Sequence, residues 1–294
     1  MGYKLLLILE KIIMLLPRVA RKAFFTFLAF VAYKLSTKYK NVVAQNLNFS
    51  FDGAMSQTEI DEITRYSFKN LLYNFLHILE IRNSPKEEIL KRVSMVGKEK
   101  LDAIQKEGRA IIYVTPHYSS WELGGVSLGL IIKPIAAVYK KMKNPPYEKW
   151  LLDGRARFGN LNIEKTNVIK PLIRFIKEKQ AIAILLDTNI NPKDGLLVDF
   201  FGKKIRQTST PAYLGRKFDV AIVPIAICTD DEEHYTITVY DEIIVNKTED
   251  ENADILEATQ AQASWLESII REKPKYWFWL HKRWKNDAPQ IYKN

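Results

Sequence analysis

The sequence predicts a single α/β domain with a mostly parallel central sheet flanked by helices, behind an N-terminal helical segment. Two observations carry this. Four short apolar runs, AIIYVT at 110–115, IAAVY at 135–139, AIAILL at 181–186 and VAIVPIAI at 220–227, are separated by stretches of helical period. Their hydrophobicity is continuous rather than alternating, as expected of strands covered on both faces. The chain of 294 residues is 47% hydrophobic and 27% charged, enough to bury one large core.

The N-terminal segment, residues 1–35, is apolar from Leu5 to Leu35. It is interrupted by Glu10 and Lys11 and again by Pro17, Arg18, Arg21 and Lys22. No uninterrupted stretch reaches the ~20 apolar residues a spanning helix needs. No small-residue cleavage site follows a lone basic end, so a removable signal peptide is not expected. Met1 to Lys40 holds eight Lys or Arg against one Glu, together with Phe24, Phe25, Phe27 and Phe30. That composition suits a segment lying on, or dipping into, an anionic membrane surface, and an ordinary helix packed on the domain is the alternative.

Residues 36–294 form the domain proper. Ile60, Ile63, Phe68, Leu71, Leu72, Phe75 and Leu79 recur at helical spacing and predict a helix over Thr58–Leu79. Pro85–Gln105 reads as another helix, and Pro146–Phe158 as one more. The four apolar runs are the strands. Tyr235–Val245 alternates and predicts an antiparallel edge, and Asn252–Ile270 closes the chain as a helix. There is no internal repeat and no low-complexity linker.

The net charge of +10 implies a negatively charged partner: phosphate, anionic lipid, acidic protein or nucleic acid. The single Cys228 allows no disulfide or cysteine metal site within the chain. His77, His234 and His281 make no zinc-ligand spacing, so no metal is expected. The chain has neither a G-x-x-x-x-G-K-[ST] nucleotide loop nor a G-x-S-x-G nucleophile elbow.

The sharpest local feature is TPHYSSWELGG, Thr115–Gly125, directly after the strand AIIYVT. Ligands of open α/β folds collect beyond the carboxyl ends of such strands, where His117 stands. Ser119 and Glu122 have the spacing of a capping box, which would start a helix and bring Glu122 back toward His117. A neutral imidazole backed by a carboxylate can take a proton from a hydroxyl near pH 7. H-x4-E alone is also compatible with a helix cap beside a turn histidine.

Four patches in order resemble the bacterial lipid A biosynthesis acyltransferases, the lauroyl and myristoyl transferases within the lysophospholipid acyltransferase superfamily. These are HYSSWELGG at His117, VYKKMKNPPYEKWLLDGRAR at 138–157, LLDTN with DFFGKKIRQTST at 185–210, and YWFWLHKRWK at 276–285. The resemblance spans the chain from its N-terminal segment to its end. It implies transfer of a fatty acyl group from acyl carrier protein to lipid IVA bearing Kdo sugars, at the cytoplasmic face of the inner membrane. No further cofactor is implied. It assigns His117 and Glu122 to the family's H-x4-[D/E] pair and Arg155 to its essential arginine, with Arg157 beside it.

On this reading His117 is the base and Glu122 stands behind it. Arg155 serves as an oxyanion donor alongside backbone N–H groups near Ser119, or grips a glucosamine phosphate. Asp187 follows a strand as His117 does and either faces the same pocket or caps a turn. Lys203, Lys204 and Arg206 suit phosphates or the acidic carrier protein, or simply a solvated loop. Trp277, Trp279 and Trp284, interleaved with Lys275, Lys282, Arg283 and Lys285, suit a membrane interface better than the stacking of single-stranded nucleic acid, and some of these aromatics are expected simply in the core. The rival readings are an acyltransferase for another membrane glycolipid or lysophospholipid, and a membrane-bound scaffold without catalysis.

Overall fold

The computed structural model describes residues 2–166, 168–191 and 193–293. Helices α1 (Tyr3–Met14) and α2 (Arg18–Leu35) are separated at Pro17, whose fixed φ suits the start of the second helix. After α3 (Thr37–Ser50) comes α4 (Gln57–Asn83). It starts where it does because Ser56 and Glu59 form a capping box, worth about 1 kcal/mol.

The stretch 85–105 departs from the single helix expected. It forms α5 (Lys86–Leu90), β1 (Val93–Val96) and α6 (Lys98–Lys106). Gly97 makes the break: its φ is +82°, and a Cβ there would stand 2.6 Å from the carbonyl oxygen of Val239.

The chain then alternates through β2 (Ile111–Thr115), α7 (Trp121–Ile131), β3 (Ile135–Tyr139), α8 (Pro145–Ala156), β4 (Leu161–Glu164), α9 (Ile169–Lys177) and β5 (Ala181–Leu185). A two-stranded hairpin follows, β6 (Leu196–Phe200) against β7 (Lys203–Gln207). The last elements are α10 (Thr210–Phe218), β8 (Ala221–Cys228), β9 (Tyr235–Val239) and α11 (Glu251–Glu272). All four apolar runs form strands, and of the expected Tyr235–Val245 only Tyr235–Val239 does.

The main sheet runs β1-β9-β8-β2-β5-β3-β4, and the five strands from β8 to β4 are mutually parallel. β9 is antiparallel to β8 as expected, but it is not the edge, because β1 pairs with its far side. Both faces of the sheet are covered. Ile112, Val114, Ile182 and Ile222 belong to one buried cluster, and Ile111, Tyr113, Ala181 and Val223 to the other. Successive residues of one strand thus enter opposite cores, which is why the runs lack polar alternation.

The charges that interrupt the N-terminal apolar run are its fixings to the domain. Glu10 is buried and accepts from Arg82 Nε, Asn83 Nδ2 and Trp150 Nε1, joining α1 to α4 and α8. Glu80 of α4, also buried, faces Arg18 and Arg21 of α2 and Arg92. Leaving such carboxylates unpaired would cost several kcal/mol, so these contacts fix where the helices sit. On their outer side Leu5, Ile8, Leu9 and Ile12 of α1 and Val19, Phe27 and Phe30 of α2 are exposed. Among the described residues no helix is long and apolar enough to cross a membrane.

Candidate active site

Thr115 of β2 and Leu185 of β5 are partners in the parallel ladder. Two residues beyond each strand end stand His117 and Asp187, so equal overhangs on neighbouring strands bring the two side chains together. His117 Nδ1 lies 2.8 Å from Asp187 Oδ1, and the His117 backbone N–H donates to Oδ2 at 2.8 Å. Trp277 Nε1 donates to the same Oδ2 at 2.9 Å. Asp187 is only 3% exposed, and its hydrogen bonds are to His117 and Trp277. These bonds hold the carboxylate against the imidazole.

Glu122 is turned elsewhere. Its carboxylate receives Arg155 bidentately, Nε to Oε2 at 2.8 Å and Nη2 to Oε1 at 2.6 Å, and Trp121 Nε1 at 3.2 Å. The expected hydrogen bond from the His117 ring to Glu122 is thus replaced by one to Asp187. Glu122 is still close enough to act on the ring through its charge.

The expected Ser119–Glu122 capping box does not form. Helix α7 has Ser120 as its N-cap without a side-chain bond. Ser119 adopts φ +47°, and its hydroxyl is buried without a hydrogen-bond partner among the described residues. Asn74 of α4 takes over the restraint, accepting the Glu122 N–H at Oδ1 (3.1 Å) and donating Nδ2 to the Ser119 carbonyl (3.0 Å). The Ser119 N–H donates to the Tyr276 carbonyl at 2.8 Å. Neither N–H is thus free as an oxyanion donor.

The charges follow from this geometry. Burial opposes charging of His117, but Asp187 and, more weakly, Glu122 outweigh it, and the imidazole pKa is raised. For Asp187, burial is outweighed by the imidazole and by its N–H donors, which hold the carboxyl at about 2. Burial would likewise raise Glu122, but Arg155 pulls it below the usual carboxylate range.

A largely apolar cavity of ≈ 90 Å³ is lined by Trp121, Glu122 and Arg155. It runs beneath α7 from Trp121 and Glu122 to Leu128, roughly 9 Å of helix axis, against Ala137, Ala183 and Ile227 of the sheet. Arg155 and Thr115 are among its few polar walls. The His117 ring packs against Trp121 and Phe278, with centroids 5.3 and 6.0 Å apart.

The other expected residues are not gathered here. Arg157 is exposed and donates to the Ile81 carbonyl. Lys203 pairs with Asp52, Lys204 with Asp199 and Arg206 with Asp287, all on or beside the β6–β7 hairpin. Trp277, Trp279 and Trp284 are core, at 3%, 0% and 0% exposure, and not the interfacial rings expected. Sequence reasoning missed Asn74 and Trp277 as site residues. The available signal for Trp277 was the C-terminal YWF patch, which lies against the histidine turn through a Tyr118–Trp277 bridge.

The family described as bacterial lipid A biosynthesis acyltransferase matches residues 2–286 of this chain. Among curated proteins, "Lipid A biosynthesis acyltransferase 2" of Shigella flexneri is 25% identical over 253 residues, 85% of this chain and 78% of that protein. The lipid A biosynthesis lauroyltransferase of Escherichia coli K12 is 22% identical, covering 87% and 82%. The myristoyltransferase of the same strain is 23% identical, covering 83% and 74%. Similarity of this level to transferases of different acyl chains does not single out one chain, but the match over nearly the whole sequence shows that the protein belongs to the bacterial lipid A biosynthesis acyltransferase family.

Proposed function

We propose that this acyltransferase moves a fatty acyl chain from acyl carrier protein to a hydroxyl of Kdo-bearing lipid IVA at the cytoplasmic face of the inner membrane, with His117 as general base. The single observation that carries the mechanism is the His117 Nδ1–Asp187 Oδ1 contact of 2.8 Å, with the imidazole packed on Trp121, a wall of the apolar cavity. With Nδ1 committed to the carboxylate, Nε2 is the nitrogen left to take a proton.

In the proposed step Nε2 removes the acceptor hydroxyl proton as that oxygen bonds to the thioester carbonyl carbon. The tetrahedral intermediate collapses with cleavage of the C–S bond. His117 returns the proton to the departing thiolate, so an ester and a free carrier thiol are formed. No group on the enzyme is acylated. Asp187 is a positioning residue that favours the imidazolium formed in transit. The Arg155 guanidinium, held in place by Glu122, lines the same cavity and is suited to the developing oxyanion.

The cavity beneath α7 is assigned to the donor acyl chain. Basic groups near the β6–β7 hairpin suit the acidic carrier protein, although each is already paired within the chain, which weakens their claim as phosphate ligands. The exposed apolar side of α1 and α2, with Lys4, Lys11 and Lys34 along the same helices and Lys38 in the first turn of α3, suits an anionic membrane surface.

The test is incubation of the purified protein in detergent with Kdo-bearing lipid IVA and a set of acyl carrier protein thioesters, read by mass spectrometry. The product is expected at the acceptor mass plus one acyl group, absent with His117→Ala. Full transfer by His117→Ala contradicts the assignment of the base, and transfer only to a lysophospholipid contradicts that of the acceptor.

A further inference from the structure

Glu122 and Trp121 line two separate cavities. Besides the one under α7, a smaller cavity of ≈ 50 Å³ lies among α4, α7 and α8. Its walls beyond Glu122 and Trp121 are apolar or aromatic except for Asn74: Leu71, Phe75 and Ile78 of α4, and Tyr147, Trp150 and Leu151 of α8. One water needs about 10–15 Å³ of such space, so several methylene-sized groups fit, while the single polar wall outside the Glu122 end offers water few partners.

We infer that this second cavity holds an aliphatic chain of the acceptor lipid, so that donor and acceptor chains lie on opposite sides of Glu122 and their reacting ends meet beside His117. The inference rests on the function proposed above. Ester formation between two chain-bearing reactants requires the thioester carbonyl and the hydroxyl to stand about 3–3.5 Å apart, and two apolar clefts with one shared wall provide this without crossing the chains. The shared Trp121 is also the ring that packs on His117.

A second observation gives the cavity its direction. Its wall residue Trp150 donates Nε1 to the buried Glu10 of α1, the helix whose opposite side exposes Leu5, Ile8, Leu9 and Ile12. Phe75 and Tyr147, with centroids 5.6 Å apart, line it between α4 and α8. The small cavity therefore lies between the reacting groups and the apolar helix, on the side from which a membrane lipid approaches. The larger cavity extends away, under α7 and along the sheet.

Two filling variants separate the cavities. Leu71→Trp fills the smaller one. Gly125→Leu fills the larger, since Gly125 lines it and a Cβ there meets nothing within 4 Å. In steady-state transfer with Kdo-bearing lipid IVA and an acyl carrier protein thioester, Leu71→Trp is expected to raise the acceptor KM roughly tenfold with the donor KM changed less than about twofold, and Gly125→Leu to do the reverse. Leu71→Phe serves as the milder filling variant should the tryptophan unfold the protein, with a smaller rise of the acceptor KM expected. An unchanged acceptor KM in the folded variants, or a raised donor KM in Leu71→Trp, overturns the assignment. Absence of transfer by the wild-type protein overturns the proposed function and this inference together, so the two failures are told apart.

Discussion

Asp187 and His117 stand at equal distances past the ends of two neighbouring parallel strands, and their side chains meet at 2.8 Å. The register of the sheet, more than the local H-x4-E spacing, decides which carboxylate orients the ring. Glu122 is bound instead into a bidentate pair with Arg155, whose geometry leaves its two oxygens no lone purpose of steering the imidazole.

The Glu122–Arg155 pair is expected to act as a unit. Glu122→Ala leaves a guanidinium without its partner in a mostly buried place, at a cost of about 3–5 kcal/mol of stability. Both Glu122→Ala and Arg155→Ala should lower turnover by roughly a hundredfold or more, and the double variant should be little worse than either. Thermal melting and single-turnover assays check this, and additive losses would show that the two side chains act separately.

Trp277→Phe removes one of the donors to Asp187 while keeping an aromatic ring in the core. A neutral hydrogen bond to a charged group is worth about 1.5–3 kcal/mol, so turnover should fall about tenfold to a hundredfold if the bond fixes the carboxylate. Its loss moves the Asp187 carboxyl upward from about 2, because the donors stabilise the charged form. Unaltered turnover in a folded variant would show that the two bonds from His117 hold Asp187 without the indole.

The outer side of α1 and α2 predicts attachment to lipid. Ile8→Asp with Ile12→Asp should abolish most binding to vesicles containing anionic lipid, since each apolar side chain contributes about 1.5–3 kcal/mol when buried. Flotation in rising salt should also weaken binding of the unaltered protein, at about 1 kcal/mol per basic residue near the surface. Flotation unaffected by the double substitution would contradict this role for α1.

Much of the fold was legible from period alone. The runs at 110–115, 135–139, 181–186 and 220–227 form strands because both faces of the sheet are buried, which continuous hydrophobicity reports directly. β1 was hidden because VSMV is four residues long, lies between charged helical stretches, and exists through pairing with a strand about 140 residues away. His117, Glu122, Arg155 and Asp187 were all identified from sequence, and the structure gathers them in one place. Their pairing was not legible, because a side-chain partner across two strands depends on ladder register, which leaves no trace in local spacing. The aromatic C-terminus misled for a related reason: rings alternating with Lys and Arg suit an interface or a core equally, and only tertiary contacts place Trp279 and Trp284 at 0% exposure.

The most direct test of the His117–Asp187 account is the pH dependence of kcat/KM for acyl transfer in the wild-type protein and in Asp187→Asn. The base must be neutral to act and its pKa is raised, so wild-type activity should climb with pH through a value above the ordinary 6.5 of histidine. Without the carboxylate the imidazole loses the charge that raised it. The rise in Asp187→Asn should therefore shift to lower pH, with a plateau roughly 10²–10⁴-fold lower. Superimposable profiles of equal height in the two proteins would contradict the account.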